Sequence, residues 1–239
     1  SLGATFAILL GVGAALGENA VGIAAFLGAF AISLAVLFIA NIGGRANAMK
    51  LLLGGMALSA VCSAFSSFII YFAQDKEGIQ TITYWMMGSL AGAKWEHMAL
   101  IGGITALAVL FFWSQSRILN LMLLGDESAI TLGTDLHPYR QGYLIVSALV
   151  VGFAVFAAGM IGFVGLVVPH VVRMLVGTDH KRLIPVTALT GAIFLVVADG
   201  LCRVIIPHTE LPIGILISLV GAPAFIYLMV KRTYGFGGN

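Results

Sequence analysis

Met160-Ile-Gly-Phe-Val-Gly-Leu-Val-Val-Pro-His-Val-Val-Arg173 is the stretch on which the fold turns. It ends an uncharged run that begins at Tyr143 and reaches Val172. One helix needs about 20 apolar residues to cross the hydrocarbon of a bilayer, so this run is too long for one upright crossing. Gly159, Gly162 and Gly165 interrupt it midway. The sequence therefore predicts two helices joined by a tight turn near Gly159, the second carrying Pro169, His170 and Arg173.

The rest of the chain is built the same way. Of 239 residues, 60% are hydrophobic and 9% charged, and the mean hydropathy is +1.07. A soluble domain carries about 25% charged residues. Too few polar groups exist here to cover a water-facing globule, so the surface must face lipid. Further uncharged runs lie at Ser1–Leu16, Ala20–Ala40, Leu51–Ala73, Met98–Ser114, Leu183–Ala198 and Leu211–Val230. With the divided run they predict an all-α bundle of about eight spans, a single transmembrane unit over residues 1–239. No internal repeat is evident.

Basic residues flanking the spans set the orientation. Eight crossings with the Gly159 turn outside place Arg45, Lys50, Arg117, Arg140, Arg173, Lys181, Arg182, Lys231 and Arg232 in the cytoplasm. Lys76, Lys94 and Arg203 fall outside. Reading Tyr143–Val172 as one crossing would invert the last part of the chain and destroy that bias. Close pairs of small residues, among them Gly11/Gly13, Ala24/Gly28, Gly54/Gly55 and Gly88/Gly92, suit close helix packing in lipid.

Two polar stretches stand apart. On the outer side, Gln74–His97 carries Trp85 and Trp95, suited to the interface, and predicts a short helix near that surface. On the inner side, Gly125 followed by Asp126, Glu127 and Ser128 reads as a helix start, because acids are favoured at the positive end of the helix dipole. Gly133 closes that helix. Ala129, Ile130 and Leu132 give it an apolar stripe that needs something to dock on.

Charges inside the spans are few. Asp199 is the one acid embedded in an apolar span, and Arg203 follows four residues on, on the same helix face. An ion pair is the expected outcome. His170 follows Pro169, which lacks an N–H and so frees a backbone carbonyl for the ring to engage. The remaining histidines, His97, His137, His180 and His208, show no metal-ligand spacing, and Cys62 and Cys202 read as small buried hydrophobes. No GxxxxGK[ST] loop occurs, and Gly88-Ser-Leu-Ala-Gly92 is not GxSxG. The chain therefore reads as a conduit and not an enzyme, with no metal or cofactor. A net charge of +2 does not point to nucleic acid.

The 160–173 stretch, together with Gly177-Thr-Asp-His-Lys-Arg182, Ala198-Asp199, Glu210-Leu-Pro-Ile-Gly214 and Gly221-Ala-Pro-Ala-Phe225, resembles the permease subunits of ATP-binding-cassette importers for iron-siderophores, haem and vitamin B12, the FecCD-like family of type II importers. Gly165, Pro169, His170, Arg173, Glu210, Pro212, Gly214, Gly221 and Pro223 carry the motif. The resemblance implies a permease in a bacterial or archaeal cytoplasmic membrane, paired with a second permease subunit, most simply its own copy. It also implies cytoplasmic ATP-binding subunits beneath and an extracytoplasmic substrate-binding protein above. Gly125, Asp126, Glu127, Ala129, Leu132 and Gly133 fall where such permeases carry a coupling loop that enters a cleft of the ATPase. Arg203 falls where basic residues meet acidic groups of the binding protein. Family pores are lined from helices matching Leu51–Ala73 and Leu211–Val230, and the glycines and prolines of 212–223 imply irregular backbone in the latter. Family members have ten helices, the third opening like Ser1-Leu-Gly-Ala4, so the chain is expected to be a fragment lacking two. The competing expectation is an ion-coupled secondary transporter with Asp199 as its coupling group. A purely structural scaffold is the third.

Overall fold

The computed structural model describes residues 2–9, 20–42, 44, 46–73, 76–206 and 209–231. Ser1, Gly11, Gly13, Arg45, Gln74, His208 and Arg232, which the sequence reading uses, lie outside the described residues. In chain order the helices are α1 (Leu2–Leu9), α2 (Ala20–Asn41), α3 (Ala48–Phe72), α4 (Lys76–Met87), α5 (Trp95–Ser114), α6 (Ser116–Met122), α7 (Asp126–Thr131), α8 (His137–Ala158), α9 (Val164–Val176), α10 (His180–Ile205) and α11 (Ile213–Lys231). No strand occurs among the described residues.

Five helices, α2, α3, α5, α8 and α10, are long and apolar enough to cross a membrane by length and composition. The apolar parts of α9 and α11 are shorter. At 13 residues α9 reaches about 20 Å against a hydrocarbon thickness of about 30 Å. The expected eight crossings would require α1, α9 and α11 in addition to the five.

The long run divides where the sequence predicts. Gly159 ends α8 in the left-handed region at φ 68°, its N–H donating to the Val155 carbonyl at 3.0 Å. A Cβ there would also lie 2.6 Å from the Trp85 carbonyl oxygen, so glycine is required twice over. The chain then runs without helix to Phe163, which takes φ 62° before α9 begins. The other glycines of the stretch do something else: Gly162 and Gly165 face open space and pack against nothing.

Elsewhere, glycines let helices interlock. In the antiparallel α2–α8 pair, a Cβ on Gly152 would come within 2.7 Å of the Phe26 ring, and one on Gly22 within 2.5 Å of Phe156. The Phe26 and Phe153 rings meet between them, tilted at 50° with centroids 4.8 Å apart. Gly28 packs on Gly3 of α1. The start of α11 is more tightly placed still. A Cβ on Gly214 would collide with the carbonyl oxygen of Met87, the last residue of α4, and one on Gly221 would lie 2.8 Å from Phe163. Here α11 is an unbroken helix through Pro223, so its glycines serve close approach and not the irregular backbone expected. Around this junction Ala198 and Cys202 of α10 form a core with Ile213 and Ile217 of α11.

Hydrogen bonds sort the connecting segments to two ends. One end gathers 41–50, 113–141 and 173–183, linked by Arg140 to Ala46, Asn120 to Asp179 and Trp113 to Lys181. The opposite end gathers the termini of α4 and α8 and the start of α11, with the Ser89 N–H donating to Ala158 and Leu211 to Cys202. The first end holds Lys50, Arg117, Arg140, Arg173, Lys181 and Arg182, and we call it the basic end.

Gly214→Ala forces a methyl against a backbone carbonyl that cannot rotate away, and should cost about 1–3 kcal/mol. Gly165→Ala adds a methyl in open space on a helix and should be neutral or slightly stabilising. Thermal unfolding of the two detergent-solubilised variants checks the contrast, and equal losses would contradict the packing.

Candidate functional site

At the basic end, the 115–137 connection folds into two short helices. The first was not evident in the sequence: α5 stops at Gln115, whose side chain accepts a hydrogen bond from Tyr143 at 3.2 Å, and α6 turns off from it. Then Gly125, at φ 88°, delivers the chain into α7. Asp126 and Glu127 occupy the first turn, where the helix dipole favours acids. Gly133 at φ 81° ends the motif, with its N–H on the Ile130 carbonyl and that of Thr134 on Ala129, both at 2.9 Å. A Cβ at Gly125 or Gly133 would meet nothing, so backbone conformation alone demands glycine at these two turns.

The apolar surface of α7 differs from the expected stripe. Ala129 is fully buried. The outward apolar residues are Leu123, Leu124, Ile130 and Leu132, 49 to 65% exposed. They form a cluster on the tip of the molecule, beside the exposed Glu127.

One side chain holds this tip in place. Arg140, in the first turns of α8, donates from Nη2 to Asp126 Oδ1 at 2.6 Å and from Nη1 to Asp126 Oδ2 at 3.2 Å. Nη1 also reaches the Ala46 carbonyl at 3.0 Å, just before the N-cap of α3. A planar guanidinium makes this fork; an ammonium has no equivalent geometry. Arg140 thereby joins α7 to the root of α3. A second link runs through Asn120 of α6. Its amide donates to Asp179 Oδ1 at 2.8 Å, and its oxygen accepts from the His180 N–H at 2.9 Å. Asp179 in turn caps α10 through the Lys181 N–H at 3.1 Å. The Asn120 amide, helped by that N–H, holds the Asp179 carboxyl below the usual carboxylate range. Sequence counted Arg140 merely as a cytoplasmic charge and passed over Asn120; fourteen and fifty-nine residues separate each from its partner.

At the opposite end, Arg203 Nε donates to Asp199 Oδ2 at 2.8 Å and Nη1 to Glu210 Oε1 at 3.5 Å. The expected Asp199–Arg203 pair is present, with Glu210 as a third member, and it is part-exposed. Pro212 and Glu210 line a cavity of about 420 Å³ with Gln80 and Tyr84 of α4.

The motif residues are distributed between the two ends. On α9, the His170 Nδ1 sits 2.6 Å from the Leu166 carbonyl and the ring lies edge-on to Phe225 of α11. Pro169 and Arg173 line a cavity of about 460 Å³ between α5, α8, α9 and α10. Cys62 and Cys202 are buried on separate helices, and no cluster of three metal-binding side chains exists among the described residues. A larger cavity, about 810 Å³, lies between α1, α2 and α3 and is bordered by small residues including Gly3, Ala24, Gly28, Ser59, Cys62 and Ser63. Beyond it α3 exposes Phe65, Phe68 and Tyr71 on one side and Leu52, Met56 and Ser63 on others.

Comparison with known proteins matches this architecture to one family. The chain belongs to the FecCD transport family, whose model matches residues 1–231. It is 38% identical over 210 residues to the hemin transport system permease protein HmuU of Yersinia pestis, covering 88% of this chain and 62% of that protein. It is 40% identical over 232 residues to the vitamin B12 import system permease protein BtuC of Salmonella typhi, covering 96% of this chain and 69% of that protein. A solved inward-facing conformation of a putative metal-chelate type ABC transporter superposes with a TM-score of 0.83 at 33% identity, over 97% of this chain and 72% of that one. The chain thus spans about two thirds of the length of these relatives.

Arg140→Lys retains the charge and loses the fork. It should make opening of α7 about fivefold more frequent, the equivalent of about 1 kcal/mol for a part-exposed pair, read as faster hydrogen exchange at 126–131. Asp179 makes a pH prediction. Its folded-state value is lowered, so the stability it contributes is present above the unfolded value of about 3.9 and is lost as pH falls through the lowered one. Trp113, whose indole donates to the Lys181 carbonyl at 2.9 Å, reports locally. With Trp85 and Trp95 replaced by Phe, its fluorescence should change in that acid range, and Asp179→Asn should remove the transition.

Proposed function

We propose that this FecCD family member is the membrane-spanning permease subunit of an ATP-binding-cassette importer. In this reading it moves an iron-chelate, haem or cobalamin-type substrate inward across a bacterial cytoplasmic membrane. The observation that carries the reading is the tip at the basic end: a short helix held by polar links to two long helices, presenting an uncovered apolar cluster beside acidic Glu127. A soluble face of that composition fits a protein cleft, and the basic end is the cytoplasmic one under the positive-inside rule.

The subunit performs no chemistry. ATP binding closes a pair of ATPase subunits docked on Leu123, Leu124, Ile130 and Leu132, and α7 moves with them. Arg140 transmits that movement to the root of α3 through Ala46, and Asn120 transmits it to α10 through Asp179. Each partner binds one of two transmembrane arrangements more tightly, and the difference in affinity shifts the population between outward- and inward-open states. A second copy of the permease supplies the other half of the pore, with α3 along the path. The exposure of Ser59, Ser63 and Ser67 on this otherwise apolar helix supports a water-facing role. A mainly apolar lining suits cargo that must not stick. At the opposite end, Arg203 with its two acids forms a charged patch for the substrate-binding protein.

An ion-coupled carrier would need Asp199 free to titrate or bind a cation. The guanidinium of Arg203 already occupies it, which argues against that mechanism.

Leu132→Asp puts a charge into the proposed interface without disturbing the fold, since Leu132 is 65% exposed. It should cut co-purification of the ATPase subunit by about tenfold or more and abolish ATP-dependent uptake in proteoliposomes containing all partners. Gly125→Val, which strains a left-handed turn by about 1–2 kcal/mol, should weaken uptake while leaving association detectable. Unaltered association and uptake in both variants would overturn the assignment of this tip.

A further inference from the structure

The cavity beside the Pro169-His170 step is lined by a cation for which no ion pair is found among the described residues. Arg173 sits in the last turn of α9 and lines the cavity with His180, the first residue of α10. Its Nε is buried without a hydrogen-bond partner, and among the described residues no carboxylate pairs with it. Thr187, two turns further along α10, lines the same space and leaves its buried hydroxyl unpaired as well. Two orphaned polar groups on one cavity wall are uncommon, because each unmet buried group costs about 1–3 kcal/mol.

The rest of the lining is mainly apolar, Val109, Val151 and Leu183 being typical of it, with the hydroxyl residues Thr105 and Ser147 besides. From His180 to Ala188 the lining follows α10 for about 12 Å toward the middle of the bundle. The shape is therefore a slot between four helices with its charge at the mouth, at the end of the molecule richest in Lys and Arg. Exposed Lys181 and Arg182 follow His180 directly. A free inorganic anion would satisfy Arg173 and leave the deep walls unfilled. A carboxylate from a cytoplasmic partner would not reach beyond the mouth. An anionic amphiphile fills both parts.

We propose that this slot binds an anionic phospholipid of the cytoplasmic leaflet. The phosphate is held by Arg173, with His180 beside it, and the upper part of one acyl chain lies between α5, α8 and α10, the remainder of the lipid staying in the bilayer. The Thr187 hydroxyl donates to an ester oxygen of the same molecule. Seated there, the lipid wedges α9 and α10 against α5 and α8, and it neutralises the Arg173 charge. The site requires only that the helices sit in a bilayer, so it stands or falls separately from the transport reading.

The test uses the full-length protein, exchanged into nanodiscs of phosphatidylcholine with or without phosphatidylglycerol. After gentle detergent release, native mass spectrometry counts the lipids that stay bound. Wild-type protein should retain phosphatidylglycerol over phosphatidylcholine by about fivefold or more, the scale of one basic contact. Arg173→Gln should abolish the preference and Arg173→Lys should keep most of it. Ala108→Phe, which leaves every charge in place and fills the deep wall, should lower lipid retention as well. Thermal stability in detergent should rise with added phosphatidylglycerol and not with inorganic phosphate. Retention without headgroup preference, an unchanged preference in Arg173→Gln, retention unaffected by Ala108→Phe, or equal stabilisation by inorganic phosphate would each overturn the proposal.

Discussion

A peptide carbonyl in hydrocarbon has no water to turn to, and that constraint shapes both ends of this molecule. Helices satisfy their own backbones, but the places where helices start, stop and cross do not. At the end carrying Gly88, Gly159 and Gly214, the solution is contact of backbone on backbone. The α4 terminus, the α8 terminus and the first turn of α11 meet with almost no side chain between them. Lipid provides no hydrophobic drive to push helices together, so dispersion over such close surfaces must do it. The Phe26–Gly152 and Phe156–Gly22 interlocks extend the same device down α2 and α8.

The basic end is built on another principle. Its segments are joined by side chains, Arg140 to Asp126 and Ala46, Asn120 to Asp179 and His180, Gln141 to Asn41 at 3.4 Å. Such contacts are part-exposed, individually weak and directional. They tolerate small displacements that backbone packing does not, since a fork of two hydrogen bonds can pivot while a carbonyl against a Cα cannot. The two constructions divide the labour between a packed end and a jointed one. The joints lead from α7 to the root of α3 and from α6 to α10.

Much of this was legible in the residues, and what was not has a common cause. The division of Tyr143–Val172 could be read because length and glycine act locally, and the structure puts the turn at Gly159 itself. Asp199 and Arg203 could be paired because a helix brings i and i+4 together. The short helix between Gly125 and Gly133 could be read from the acids after the first glycine and the stop at the second. By contrast, the burial of Ala129 depends on which side of a six-residue helix meets the bundle, and six residues are too few to show a period. The break at Gln115 coincides with a hydrogen bond from Tyr143, on another helix. Gly162 and Gly165 look like Gly214 and Gly221 in sequence, yet one pair faces open space and the other another chain segment. Contacts across many residues carry no one-dimensional signature.

The short helix α9 shows why these residues travel together. A helix of 13 residues cannot bridge the hydrocarbon alone, so its start must be held by other elements. Phe163, strained at φ 62°, is held under Gly221 of α11; without that glycine the start of α9 would have no room. Further along, Pro169 removes the N–H that would bond to Gly165, and the His170 ring ties itself to the next carbonyl and to Phe225. At the other end, Val172 is wholly buried against Leu183, and Arg173 beside it lines the slot next to α10. His170 thus answers α11, and Pro169 and Arg173 answer the slot beside α10. A substitution at any of these three disturbs a contact made by the same short helix, which is a physical reason for them to form one block.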